Sequence, residues 1–197
     1  MVAKEPHAGG LVQALGRVAA VSDFVNAHHR QPGFWKQEND LSSLSMLGPA
    51  THILLSMPRF DTSDTKSFEF AHELTRLASL ILLAGLKSVY EQAAAEMGLL
   101  QDKLYRLLRG QNLEQGSFLL PDLQIWALVT AALFQHPGRE KVLYCKEISR
   151  RMGVQNFRNG AAAVEVARSI IWIEALAKPC ITDTLIFEID VVHLGST

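Results

Sequence analysis

The sequence predicts an irregular all-α domain of about seven to nine helices. Apolar residues recur at intervals of three and four, and glycine and proline separate the apolar segments. Only the C-terminal TLIFEIDVV has β-branched character. The chain has 197 residues and 48% hydrophobic side chains, enough for one substantial core. We therefore expect one domain over residues 1–197, with a helix and turn in 1–40 and a tail in 180–197.

Composition narrows the classes of protein to consider. The 19 Lys and Arg against 20 Asp and Glu give a net charge of -1, so no overall field attracts nucleic acid. Cys145 and Cys180 are far apart and do not have the spacing of cysteines in a disulfide framework, which favours a protein of a reducing, intracellular compartment. The apolar run over residues 77–86 is about half the roughly 20 residues that cross a bilayer. Gln13 and Arg17 interrupt the apolar N-terminal segment, so we expect no signal peptide.

The first helices follow from periodicity and its interruptions. Apolar residues at helical spacing predict a helix over residues 11–29. A short helix through Leu47 should stop at Gly48-Pro49, because proline restricts the residue before it and glycine favours helix ends. A second short helix over residues 50–57 should then end at Pro58.

The middle of the chain predicts a long helix and a shorter one. Residues 68–97 are at first apolar on one side and then almost continuously apolar, so the middle of this helix should be buried all round. Gly98 should end or bend it. Leucines at helical spacing over residues 100–108 predict an amphipathic helix that Gly110 stops.

The stretch LLPDLQIWALVTAALFQHPGREKVLYCKEISRRMG joins a predicted core helix to a charged one. Pro121 fits the first turn of a buried helix over residues 123–134, and HPG breaks it. A second helix over residues 139–152 should end at Gly153. Periodicity places Val142, Cys145, Ile148 and Met152 inward, and Lys141, Lys146, Glu147, Arg150 and Arg151 outward. Substituting Arg150 or Arg151 should therefore barely affect folding.

The last helix should run from about Asn159 to Ala177, and Pro179 should end it. The tail TLIFEIDVV remains open to three interpretations: a strand, a short helix or a packed extended strap.

The residues that could be metal ligands do not have the spacing of a metal site. His72 and Glu73 begin a zinc-protease signature, but Arg76 stands where the second histidine must be, so solvated helix surface is the simpler interpretation. His28 and His29 are adjacent and point to different sides of a helix, near its end. We assign no metal ligand.

No catalytic constellation is visible, so we expect a protein that is not an enzyme. Cys145 on an apolar helix face is typical of an inert thiol, although Arg139, Lys141 and Lys146 would favour a thiolate. No Gly-x-Ser-x-Gly elbow, phosphate-binding glycine loop or paired carboxylates appear. We assign no catalytic residue and no cofactor; a cofactor-binding residue stays unknown.

A cluster of cationic side chains has two interpretations: an ordinary solvated face or a nucleic-acid surface. Glu140 and Glu147 dilute it and no aromatic residues interleave, which favours the solvated face. The cluster consists of Arg139, Lys141, Lys146, Arg150, Arg151 and Arg158.

Over residues 41–189, the order of four segments resembles the fungal-specific transcription factor domain, the helical regulatory region that follows the zinc-cluster DNA-binding domain in many fungal activators. The segments are SLSMLGPATHILLSMPRF, ELTRLASLILLAGL, LQIWALVTAALFQHPGREKVLYCKEISRRMG and AAAVEVARSIIWIEALAKP. The matching residues are Leu47-Gly48, Arg76-Leu77-Ala78, Trp126-Ala127-Leu128 and Trp172.

The resemblance implies transcription regulation in the nucleus, often of a secondary-metabolite gene cluster. The family's six-cysteine zinc segment is missing, since the chain has two cysteines. We therefore expect no sequence-specific DNA binding by this chain alone. Partners would be proteins of the transcription machinery or a DNA-binding protein, and a homodimer stays open. The alternatives are a helical enzyme or small-ligand carrier whose site sequence does not reveal, and an interaction scaffold outside transcription.

Overall fold

Eight α-helices and one short 3-10 turn make up most of what the computed structural model describes, which is residues 8–36, 42–60, 67–90, 95–110 and 120–195. No strand occurs in these ranges, so the all-α prediction is confirmed. The helices are α1 (Ala8–His28), α2 (Ser42–Ser56), α3 (Ser67–Val89), α4 (Glu96–Arg109), α5 (Pro121–Leu133), α6 (Arg139–Gln155), α7 (Gly160–Ile170) and α8 (Pro179–Leu194). Within these ranges, no helix combines the length and hydrophobicity needed to span a membrane.

Helix α5 is the central helix of the fold. It packs against α3, α6, α7 and α8, and every residue from Gln124 to Ala132 is buried. Pro121 occupies its first turn, where a missing backbone N–H costs nothing. Trp126 is 0% exposed, and its indole N–H donates a hydrogen bond of 2.7 Å to the carbonyl of Ile171. The predicted core helix is confirmed.

The acceptor of that hydrogen bond lies in a buried connector, which we define as residues 171–173. The prediction of one helix from Asn159 to Ala177 is wrong, because α7 ends at Ile170 and the backbone of Ile171 is extended. A helix end leaves backbone groups without intrahelical partners. Here two side chains of α1 supply the missing partners: Ser22 and Asn26 donate hydrogen bonds to the Trp172 carbonyl at 2.7 and 2.6 Å.

The tail forms helix α8, which settles the three interpretations of TLIFEIDVV in favour of a helix. Pro179 begins this helix instead of merely ending the previous one. Leu185 and Ile189 are 0% exposed, and α8 packs against α6 and α7. The approach to α7 is close, since a Cβ on Gly160 would lie 2.9 Å from the Ile186 carbonyl oxygen.

The predicted stop at Gly48-Pro49 is wrong, because α2 runs without a break from Ser42 to Ser56. Both residues lie on the exposed side of the helix, while Leu47, Ala50 and Leu54 are buried. Proline costs a helix one backbone hydrogen bond and a steric clash. On this face water reaches the backbone, and the buried side of the helix is uninterrupted.

The predicted helix over residues 68–97 is too long. Helix α3 ends at Val89, and the N–H of Tyr90 bonds the Lys87 carbonyl in a closing turn. Gly98 does not end a helix, since it lies in the first turn of α4. The amphipathic helix that stops at Gly110 is confirmed, with Leu104, Leu107 and Leu108 buried.

Helix α6 departs most from its predicted orientation. Lys141, Glu147 and Arg151, which periodicity placed outward, are 8%, 4% and 1% exposed, whereas Val142 is 47% exposed. The cause is that α6 packs against both α5 and α8, so more than one of its faces is covered. The helix also continues past Gly153 to Gln155, and its C-cap residue, Asn156, has a left-handed φ of 58°.

The interpretation of residues 72–76 as solvated surface is also wrong. Helix α3 is buried almost all round, and His72, Glu73 and Arg76 are 1%, 6% and 3% exposed. The charges are tolerated because Arg76 forms two hydrogen bonds to the Glu73 carboxylate, at 2.8 and 2.6 Å.

We predict that Trp126→Ala lowers the free energy of unfolding by about 3–5 kcal/mol, the range for replacing a fully buried aromatic side chain by alanine. The substitution removes packing around α5 and leaves the Ile171 carbonyl without its donor. Urea denaturation followed by circular dichroism measures the loss. A loss below about 1 kcal/mol would contradict the central position of α5.

Candidate functional site

Helix α8 exposes an apolar face. Phe187, Val191 and Leu194 are 67%, 54% and 73% exposed, and their spacing of four and three places them on one side of the helix. Val142 on the neighbouring α6 is 47% exposed. Scattered exposed apolar residues are ordinary, but a group on one face is typical of an interaction surface.

A groove of about 260 Å³ lies beside this face, between the first half of α6 and the second half of α8. Its walls are almost entirely apolar, and the residues that line it are Pro137, Gly138, Lys141, Val142, Cys145, Phe187, Glu188, Val191 and Val192. We call the groove and the exposed residues Phe187, Val191 and Leu194 together the α6–α8 surface.

Two polar contacts hold α6 and α8 together at this surface. The Lys141 ammonium lies 2.7 Å from the Glu188 carboxylate, and the lysine side chain is only 10% exposed. Ser149 Oγ and His193 Nδ1 share a hydrogen bond of 2.9 Å. Ser149 is 5% exposed, so this hydrogen bond lies within the packed side of α6. Both contacts therefore position the helices.

Cys145 faces the groove from α6. Burial raises the pKa of its thiol to about 11, and the Glu188 carboxylate acts in the same direction. Lys141 acts against them but has the smallest influence. At neutral pH the thiol is protonated, so the cationic neighbours that would favour a thiolate do not prevail. Cys145 is a small apolar side chain of the core, and Cys180 is exposed.

A buried charged cluster supports α6 from the side of α5. Arg151 bonds the Glu147 carboxylate at 2.5 Å, the Glu147 carbonyl at 3.0 Å and the Gln124 amide oxygen at 3.0 Å. Arg150 adds a longer contact of 3.1 Å to Glu147. Burial lowers the pKa of the Arg151 guanidinium, and the adjacent Glu147 charge opposes that shift.

The cationic cluster that the sequence offered does not form one surface. Lys141 and Arg151 are buried in ion pairs, and Arg150 is half-buried beside Glu147. The exposed members are Arg139, Lys146 and Arg158. Three of the six residues therefore remain on the surface, and the six do not make one continuous cationic face.

The histidines considered as metal ligands lie in separate places. Nδ1 of His28 and Nδ1 of His29 each contact carbonyls of their own helix, which occupies one ring nitrogen of each. His72 packs edge-on against Phe60. In the part of the chain that the structure describes, no group of three or more His, Cys, Asp or Glu residues is placed to hold a metal.

Sequence reasoning missed the α6–α8 surface because the tail was not assigned to a helix. Once residues 179–194 are helical, the spacing of Phe187, Val191 and Leu194 is the signal that identifies the face. Lys141–Glu188 and Ser149–His193 join residues more than forty positions apart, so periodicity gives no indication of them.

Comparisons of this chain with protein-family models, with curated proteins and with solved structures found no match.

We predict that Arg151→Met lowers the free energy of unfolding by about 3 kcal/mol, because removing one partner of a buried ion pair leaves an uncompensated charge. This reverses the expectation from sequence. The matched variant Arg150→Met, whose side chain is 33% exposed, should cost below about 1 kcal/mol. Urea denaturation of both variants measures the difference, and equal losses would contradict the assignment of Arg151 to the core.

We predict that iodoacetamide modifies Cys180 but not Cys145 in the native protein at pH 8. With a pKa of about 11, Cys145 is ionised in roughly one molecule in a thousand at this pH, and its thiol is buried. Raising the pH towards 11 increases the thiolate fraction and its reactivity. Mass spectrometry of the two cysteine peptides measures this, with urea-unfolded protein as the control in which both react. Labelling of Cys145 as fast as Cys180 would refute it.

Proposed function

We propose that this chain regulates transcription through contacts with other proteins, as the regulatory region of a fungal nuclear transcription factor. The observation that carries the protein-contact part is the α6–α8 surface, where three apolar residues of α8 and Val142 of α6 are exposed together. The transcription part, including control of a secondary-metabolite gene cluster, rests on the resemblance of the four ordered segments.

The partner that fits this surface is an amphipathic helix with an acidic flank. Arg139, Val142 and Lys146 stand at steps of three and four, so they share one exposed face of α6, with a cation on each side of the valine. Apolar side chains of a partner helix would pack on Phe187, Val191 and Leu194, and its carboxylates would meet Arg139 and Lys146. Helices commonly bind in grooves through such anchors at i, i+4 and i+7.

Regulation by contact agrees with the charge pattern of the chain. The exposed cations on α6 are few, and the buried ones are neutralised by Glu147 and Glu188. The chain would reach promoters through a DNA-binding partner, to which it contributes a binding surface for the transcription machinery.

We predict that this chain, fused to a foreign DNA-binding domain, changes transcription of a reporter in a fungal host, and that Phe187→Glu abolishes the change. A charge at position 187 disrupts apolar packing with a partner and leaves the core intact, because the side chain is 67% exposed. The matched control is Leu99→Glu on α4, where leucine is also 67% exposed but lies outside the α6–α8 surface. Reporter activity at equal protein level is the measurement.

Three outcomes would contradict the proposal. An unchanged reporter with the parent fusion argues against transcription regulation, and equal effects of Phe187→Glu and Leu99→Glu argue against the α6–α8 surface. Light scattering that shows a dimer abolished by Phe187→Glu would make a second copy of this chain the occupant, in place of a partner helix.

A further inference from the structure

A second cavity, of about 420 Å³, lies between the segment after α2, helix α3 and helix α4. It shares no residue with the α6–α8 surface. Four of the side chains that line it are cationic, namely Arg59, Arg76, Lys103 and Arg106, and one is a carboxylate, Glu73. We call it the cationic cleft. A net charge of -1 over the whole chain means that this local excess of positive charge does not follow from composition.

Two of the four cations form ion pairs within the part of the chain that the structure describes. Arg76 is paired with Glu73 at 2.6 Å, and Arg106 with Asp102 at 2.6 Å. Arg59 and Lys103 form no ion pair with any residue that the structure describes, and both are exposed at the mouth of the cleft. Within the described residues, these two positive charges at the cavity have no carboxylate paired with them. Like charges on neighbouring side chains repel, and an anion between them removes that cost.

The inner wall supplies a buried donor. Arg76 is 3% exposed, and three of the five N–H donors of a guanidinium are accounted for, two by Glu73 and one by the Leu54 carbonyl. Each of the two Nη atoms therefore keeps one N–H beyond these bonds. A ligand carboxylate within reach of these N–H groups would accept a charge-assisted hydrogen bond.

The rest of the lining is apolar. Phe60, Leu77 and Leu107 contribute carbon surface beside the charged groups. A bare inorganic anion would use only the cations and leave this surface in contact with water. A neutral apolar molecule would form no ion pair with Arg59 or Lys103. The cleft therefore matches a molecule that has both an anionic group and an apolar body.

We propose that the cationic cleft binds a small organic anion, a carboxylate with an apolar body. The carboxylate lies between Arg59 and Lys103 within reach of the Arg76 guanidinium, and the apolar body packs on Phe60, Leu77 and Leu107. A cavity of about 420 Å³ is within the range of small-molecule sites, roughly 300–1,000 Å³. The arrangement follows the usual pattern of such sites, in which apolar walls supply area and a few polar groups fix orientation.

The experiment uses octanoate as the probe and compares it with 1-octanol, which has the same apolar chain without the charge, and with acetate, which has the charge without the chain. Binding to the full chain is measured by calorimetry and by amide chemical shifts. Octanoate is expected to bind at least about tenfold more tightly than either comparison ligand, and to shift amides of α3 and α4. Added salt should weaken the binding, because the cations at the mouth are exposed.

The decisive variant is Arg59→Gln combined with Lys103→Gln. Both side chains are exposed, so the fold should persist, and octanoate affinity should fall about tenfold or more. The matched control is Arg17→Gln combined with Arg158→Gln, which makes the same change in net charge at exposed positions on α1 and between α6 and α7, and should leave affinity unchanged.

Each remaining result would overturn the proposal. Equal affinity for octanoate and 1-octanol would make the cleft a plain apolar cavity, and equal affinity for octanoate and acetate would make it a patch for any anion. Loss of affinity in both double variants would mean a general charge effect. Binding of an acidic peptide but not of octanoate would make the cleft a protein-docking site instead.

Discussion

The fold depends on how the backbone carbonyls of the buried connector, residues 171–173, are satisfied. Helix α7 stops at Ile170, and a buried chain segment that leaves a helix must find other partners for its polar groups. Trp126 supplies a donor from α5, while Ser22 and Asn26 supply donors from α1. The amide oxygen of Asn26 also accepts from the N–H of Glu174. These contacts fix α1 and α5 relative to the place where the chain turns from α7 to α8.

The position of α8 then determines which residues of α6 are covered. Lys141 faces Glu188 and Arg151 faces Gln124, so both flanks of α6 put charged groups against neighbouring helices. Val142, between those flanks, is exposed. Part of the charge of α6 is thus turned inward and part of its apolar surface outward. Because of this arrangement, the exposed face of α6 is suited to binding, which an ordinary solvated helix face is not.

Helical periodicity is enough to predict the all-α class, the core position of α5 and the break at HPG, because these follow from local apolar patterns and from proline and glycine. It fails where a distant partner decides the outcome. Arg151 is buried because Gln124 and Glu147 satisfy its guanidinium, and Lys141 because Glu188 does. Pro49 is tolerated since it lies on the exposed side of α2.

Periodicity also could not predict the α6–α8 surface, because that surface exists only if the tail is helical and lies next to α6. Residues of the cationic cleft come from three parts of the chain that no local pattern brings together.

The hydrogen bonds from α1 to the connector have a consequence for the order of events during synthesis. Ser22 and Trp172 are 150 positions apart, and Asn26 and Glu174 are 148 apart. A ribosome exposes α1 and α2 long before the connector exists, so Ser22 and Asn26 meet their acceptor on Trp172 only after most of the described helices have emerged. Contacts of such sequence separation slow folding, and exposed apolar segments are prone to aggregate. Helix α1 can therefore pack on α2 early during synthesis, whereas its attachment to the connector is a late event.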